Sequence, residues 1–192
     1  MKKILFVCHG NICRSPMAEY VMKDLVKKAG LESQFQIVSA ATSWEEIGNP
    51  VYPPARRKLA EHGISCGGHA ARQLRSSDYK EYDLLIGMDK ANLRNMYRIC
   101  GGDFNDKMHL LLEYADRWKG PPREPSEAGR VGRGEARECS EFSPQAETEK
   151  SGLCFDEVAD PWYTGDFDAT WRDVLAGCQG LLQELVEQER HT

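Results

Sequence analysis

"VCHGNICRSP", residues 7–16, decides how this chain folds. Cys8 and Cys13 stand five apart, and Arg14 follows the second. Such a pair fits a disulfide, half of a metal site, or a loop wrapped around an anion. What flanks it narrows the choice. Residues 3–7 are apolar and β-prone and read as a buried parallel strand. Ser15 reads as a helix N-cap with Pro16 at the first helical position. Met17, Tyr20, Val21, Leu25 and Val26 then recur at helical spacing, and Gly30 ends the run.

The same alternation continues outward. "FQIVSA" (35–40) predicts a strand, and "PPARRKLAEHGI" (53–64) a helix with proline at its start and Gly63 at its end. "YDLLIGM" (82–88) predicts a third strand, and "DKANLRNMY" (89–97) a helix opened by Asp89. "KMHLLLEY" (107–114) predicts a fourth strand. A last helix is expected from about Phe167 to Glu189, with Phe167, Trp171, Val174, Cys178, Leu181 and Leu185 on one face. Alternating strands and helices imply an α/β sandwich around a four-stranded parallel sheet. Ligands of such sheets bind at the carboxyl ends of the strands, where residues 8–15 fall.

Residues 116–157 break the pattern. "GPPREPSEAGRVGRGEARE" has too few apolar groups to offset its ordering entropy, so the stretch is expected to be a disordered insertion in one 1–192 domain. The other reading is a short docking segment using Trp118, Phe142 or Phe155.

Bulk composition excludes several classes. A net charge of −5 argues against a nucleic-acid binder, which needs a basic face. No apolar run approaches the roughly 18 residues of a membrane span. "ILFV" is too short for a signal peptide, so a cytoplasmic location is expected. Seven cysteines is an odd, scattered count, unlike a secreted disulfide scaffold. Cys8 and Cys13 lack the second close pair usual in structural zinc sites.

The anion loop remains. A strand end running into a helix N-terminus turns backbone N–H groups inward, and the helix dipole adds positive potential. Gly10 and Asn11 tolerate the left-handed backbone of a tight cradle. Arg14 offers a planar fork for two phosphate oxygens. At the bottom, Cys8 is expected to have its pKa lowered and to act as a nucleophile beneath a bound phosphate. The plainer alternative makes Cys8 a core thiol and Arg14 a surface charge.

"CHGNICRSPMAE" (8–19) resembles the signature of the low-molecular-weight protein tyrosine phosphatases almost residue for residue. "VSAATS" (38–43), "IGNP" (47–50), "HAARQL" (69–74), "MDKANL" (88–93) and "DPWYTGDF" (160–167) follow in that family's order. The resemblance covers 1–115 and 158–192. It implies a flavodoxin-like three-layer sandwich of the phosphotyrosine phosphatase I type, and hydrolysis of phosphotyrosine through a phosphocysteine on Cys8. Arg14 and the loop residues His9, Gly10, Asn11, Ile12 and Cys13 would bind the phosphate, with Ser15 bonded to the sulfur. Asp160 would be general acid and then base. Asp166 and Asp168 compete for that role but read better as helix-start residues. Asn11, Ser39 and His69 match positions that brace the loop. Asp89 either joins them or only caps its helix. Trp162 and Tyr163 either wall the cleft or pack in the core, and Trp44 is a candidate for the opposite wall. Cys13 is either a structural thiol or a partner for a protective disulfide with Cys8.

The chain departs from the family pattern at Glu45 and Glu46, where many members carry an aromatic. It departs again at Tyr52 in "VYPPARRKL" (51–59), where many place an aspartate. Phosphotyrosine proteins are the implied partners, and a cognate bacterial tyrosine kinase is a further possibility. No cofactor or metal is implied, because the loop and Arg14 supply the positive charge. Oligomeric state is unread. Arsenate reductases share the fold, but those using internal thiols need a cysteine pair after the third strand, where Cys100 stands alone and Cys66 comes too early. Protein-arginine phosphatases carry threonine where Ile12 stands. A non-enzymatic phosphate-binding module would lack one of the catalytic groups, all of which are present.

Overall fold

The apolar run at the N-terminus becomes an inner strand. In the computed structural model, which describes residues 1–117 and 157–190, β1 (Lys2–Cys8) has parallel neighbours on both sides. Ile4, Leu5, Phe6 and Val7 are wholly buried, as a continuous apolar run in a two-sided sheet requires. Alternation along the strand sends Ile4, Phe6 and Cys8 to one face and Leu5 and Val7 to the other.

α1 (Arg14–Lys28) crosses over to β2 (Phe35–Ala41), with a 3₁₀ turn at Glu32–Gln34 between them. α2 (Pro53–Glu61) and the single turn α3 (Asp78–Glu81) lead into β3 (Leu84–Gly87). α4 (Lys90–Cys100) then leads to β4 (Met108–Leu110), and a 3₁₀ helix occupies Leu111–Arg117. The described C-terminal part contains the short α5 (Pro161–Thr164) and the long α6 (Phe167–Arg190). The sheet order is β2-β1-β3-β4, all parallel. Side chains of α1, α2 and α6 fill the core on the Ile4–Phe6 face, and Met96 of α4 packs on the other, giving three layers. The chain reverses its winding between β1 and β3, and the ends of those strands form the crevice where such sheets take ligands.

Two local expectations are corrected. Ser15 is not the N-cap: Cys13 holds that position without a side-chain bond, and α1 begins at Arg14. The Ser15 hydroxyl is used elsewhere, as described below. The fourth strand stops at Leu110 instead of running to Tyr114. Leu111 and Tyr114, three apart, both turn inward in the 3₁₀ helix that follows, and Glu113 accepts the Leu110 amide at 3.1 Å. This turn lies against glycines of α6. A Cβ on Gly177 would sit 2.5 Å from Leu111 Cγ, and one on Gly180 would collide with the Tyr114 carbonyl. The stretch read as an insertion, with Trp118, Phe142 and Phe155, lies outside the described residues apart from its ends.

Candidate active site

The first loop is built around a sulfur. Cys8 ends β1 on the face covered by α1 and is 3% exposed. The Ser15 hydroxyl donates to its Sγ at 3.0 Å, and the Asn11 amide donates at 3.3 Å. Asn11 carries the left-handed turn, at φ 57°. Gly10 does not share that conformation, contrary to expectation. Its lack of a side chain answers a spatial need, since a Cβ there would lie 3.2 Å from Glu46 Cγ.

Asn11 is fully buried and bonded on every side. Its Nδ2 donates to Ser15 Oγ at 3.0 Å and to Ser39 Oγ at 2.7 Å. Its Oδ1 accepts the Arg72 amide at 3.1 Å, and its carbonyl accepts from His69 Nε2 at 2.8 Å. Ser39 in turn donates to Glu19 at 2.5 Å, and Glu19 pairs with Lys23. Asn11, Ser39 and His69 thus meet as the sequence suggested. The sequence reading missed Glu19 and Arg72. The signal for Glu19 was available: it lies four residues after Ser15, on the helix face that also carries Met22 and Val26 into the core.

Arg14, 4% exposed, spreads its fork between two carboxylates. One nitrogen reaches Asp89 Oδ2 at 2.7 Å and the other Asp160 Oδ2 at 2.6 Å. Burial works against its charge, but the Cys8 sulfur, Asp160 and Asp89 together hold the guanidinium above its ordinary pKa. Asp89 serves both alternatives, since its other oxygen caps α4 by accepting the Asn92 amide at 2.6 Å. Burial, and next the neighbouring Cys8, push the Cys13 thiol up to about 12. Both Cys8 and Cys13 are free thiols.

Asp160 caps the single turn α5, its Oδ1 accepting the Trp162 amide at 3.1 Å. The residues before it are tied down: Val158 N donates to Met88 O at 2.9 Å and Ala159 N to Asp173 at 2.9 Å. The buried Thr170 hydroxyl donates to Ala159 O at 2.9 Å. Asp166 caps the start of α6 by accepting the Ala169 amide, and Asp168 pairs with Lys58 at 2.6 Å, so neither competitor is directed at Arg14.

A cleft of about 270 Å³ opens above the loop. Cys8, Arg14 and Asp160 form its floor and side, and Trp162 and Tyr163, 58% and 85% exposed, line it as well. The suggested opposite wall is corrected. Trp44 is 72% exposed and absent from the lining, and the wall residues are Glu45 and Glu46. Glu45 pairs with His9 at 3.1 Å on the exposed rim.

Residues 3–130 match a family model described as low molecular weight phosphotyrosine protein phosphatase. The chain is 31% identical over 190 residues to the low molecular weight protein-tyrosine-phosphatase YfkJ of Bacillus subtilis, covering 99% of each chain. It is 44% identical over 114 residues to the low molecular weight phosphotyrosine protein phosphatase of Schizosaccharomyces pombe, covering 59% of this chain and 72% of that one. The crystal structure of Bacillus subtilis YfkJ superposes with a TM-score of 0.75 at 31% identity, covering 98% of this chain and 96% of the other. The structure of SP-PTP, a low molecular weight protein tyrosine phosphatase from Streptococcus pyogenes, superposes at 0.70 and 31% identity over 96% of this chain and 93% of the other.

Proposed function

The chain belongs to the low-molecular-weight phosphotyrosine protein phosphatase family, and from that premise we propose how its residues divide the work. The enzyme is a phosphoric monoester hydrolase acting on phosphotyrosine. Cys8 Sγ attacks phosphorus in line with the phenolic oxygen, and the P–O bond to tyrosine breaks as the S–P bond forms. The dianionic phosphate takes the place of the Asp160 carboxylate on Arg14, and the loop amides hold the remaining equatorial oxygens. Released from Arg14, Asp160 takes up a proton from solvent and gives it to the departing phenolate. It then removes one from the water that attacks phosphocysteine. The Ser15 hydroxyl bonds to the sulfur before attack and eases its departure in the second step. Asn11, Ser39, His69 and Asp89 hold the loop and Arg14 in place. The aromatic faces of Trp162 and Tyr163 receive the phenyl ring.

The observation that carries this reading is the convergence on one sulfur. A hydroxyl at 3.0 Å and an amide at 3.3 Å both donate to Cys8 Sγ, which opens onto the same cleft as Arg14 and Asp160. A core thiol needs neither donor. We read the whole chain as one phosphatase domain, a reading supported by the near-complete overlap with YfkJ. No described helix is long and apolar enough to cross a membrane. The free described cysteines favour a reducing cytoplasm, and a tyrosine kinase that makes the phosphoproteins is the partner this chemistry calls for. Turnover of phosphotyrosine and phosphoarginine peptides side by side, with Cys8→Ser and Asp160→Asn variants, tests the reading. Phosphotyrosine is expected to be cleaved, Cys8→Ser to be inactive, and Asp160→Asn to be crippled most on poor leaving groups. Hydrolysis surviving in Cys8→Ser would overturn it.

A further inference from the structure

Tyr52 stands between the two halves of the site. Its backbone amide donates to Ile12 O at 2.8 Å, beneath the phosphate loop. Its side chain packs against the cluster of Ile12, Cys13 and Ala71. On its other side the ring meets Trp162, with centroids 5.6 Å apart, and Phe167 at 6.3 Å. We propose that Tyr52 is a positioning residue for the general acid, clamping the Asp160 segment to the back of the phosphate loop.

The need for a clamp follows from the size of α5. A four-residue turn has no stability of its own. Hydrogen bonds from Val158, Ala159 and Thr170 fix the chain just before Asp160. Just after it, Trp162 is more than half exposed and leans on Tyr52. The Trp162 amide is also what holds Asp160 Oδ1. Ring, indole, amide and carboxylate form a short series of contacts, so releasing the indole lets the carboxylate drift from the leaving oxygen. Misplacement by about 1 Å can lower a rate about 10²-fold.

This inference rests on Asp160 being the acid, and the test separates the two. Tyr52 is the N-cap of α2 and makes no side-chain capping bond. Tyr52→Asp therefore removes the ring while supplying a capping carboxylate, and Tyr52→Phe keeps the ring. kcat/KM is measured on phenyl phosphate, whose leaving group needs a proton, and on 2,4-dinitrophenyl phosphate, whose leaving group does not. Tyr52→Asp is expected to lose about ten-fold on the first and less than about two-fold on the second, while Tyr52→Phe keeps both. In an Asp160→Asn background, Tyr52→Asp should add no further loss on phenyl phosphate. If circular dichroism shows Tyr52→Asp unfolded, Tyr52→Leu carries the same expectations. Equal losses on both substrates, or full additivity with Asp160→Asn, would overturn the inference. If Asp160→Asn alone shows no split between substrates, the acid assignment fails. If it splits them and Tyr52→Asp does not, only the role of Tyr52 fails.

Discussion

The phosphate loop and the acid segment meet at Arg14 but are secured by opposite means. The loop is buried from Asn11 to Arg14, and Asn11 at its centre is bonded to α1, to β2 and to residues 69 and 72. The acid segment is one exposed turn, its carboxylate 28% accessible and held by a single amide and by Arg14. A cradle for developing charge gains from donors that need no rearrangement during reaction. In the role proposed for it, Asp160 must give up one partner, deliver a proton and later take one back, and such a group gains from a lighter hold. The difference in packing thus matches the difference between the tasks proposed for them.

Arg14→Lys should show the largest effect. An ammonium keeps the charge but cannot span Asp89 and Asp160 as the fork does. Loss of one preorganised donor to the phosphate predicts a fall in kcat/KM of about 10²–10³-fold. The fall should be equal on phenyl and 2,4-dinitrophenyl phosphate, because the contact is to phosphate. A loss confined to phenyl phosphate would instead mean that Arg14 acts chiefly by placing Asp160, and the two regions would not be separate devices.

Asn11→Ala tests the cross-linked half. It strands the Arg72 amide, removes the bonds to Ser15 and Ser39, and leaves a non-glycine residue at φ 57°. Together these predict a destabilisation of about 2–4 kcal/mol in urea unfolding. Asn11→Gly should recover only the backbone part. If both variants unfold like the wild type, the loop is held by something other than this network.

The legible half of the site is the one made of neighbours in sequence. Strand, loop and helix are written within residues 2–28, so the placement of Cys8 and Arg14, and the roles proposed for them, follow from spacing and residue type. The structure keeps both Asn11 and Ser15 beside the sulfur, and Ser15 gives its hydroxyl to Cys8 as the resemblance implies, without also capping α1. Long-range placement was harder to see. Nothing local to Glu45 and Glu46 says that they, and not Trp44, face the cleft. Arg72 reaches Asn11 through a backbone amide, which no side-chain pattern reveals. The fourth strand was overdrawn because Leu110, Leu111 and Leu112 form one apolar run. Only the tertiary approach of Gly177 and Gly180 shows why that run turns into a 3₁₀ helix against α6.

Thr170→Val probes the lighter half. The substitution keeps the volume of a fully buried residue and removes the hydroxyl that ties Ala159 to α6. A loss of about 1 kcal/mol in stability is expected. Activity should fall about three-fold on phenyl phosphate only, in keeping with the modest hold on this segment. A larger loss on both substrates would place Thr170 with the rigid half.

The smallest effect is expected where the acid segment passes into α6. Lys58 on α2 pairs with Asp168 in the first turn of α6, and Asp168 is 79% exposed. The hydrogen bond and charge of Lys58 hold the Asp168 carboxyl below its ordinary value of 3.8. A depressed folded-state pKa contributes stability above the unfolded value, and the contribution is lost as pH falls through the folded one. Asp168→Asn should therefore differ from the wild type by only about 0.5 kcal/mol or less at pH 7, as exposed pairs do. The gap should close as pH falls below the ordinary carboxylate range and the carboxyl protonates, and in about 1 M salt, which screens it. A gap that persisted under both conditions would mean that Asp168 holds the start of α6 by something other than its charge. The acid segment would then be more firmly built at its C-terminal end than its single turn suggests, and Tyr52 would have less left to hold.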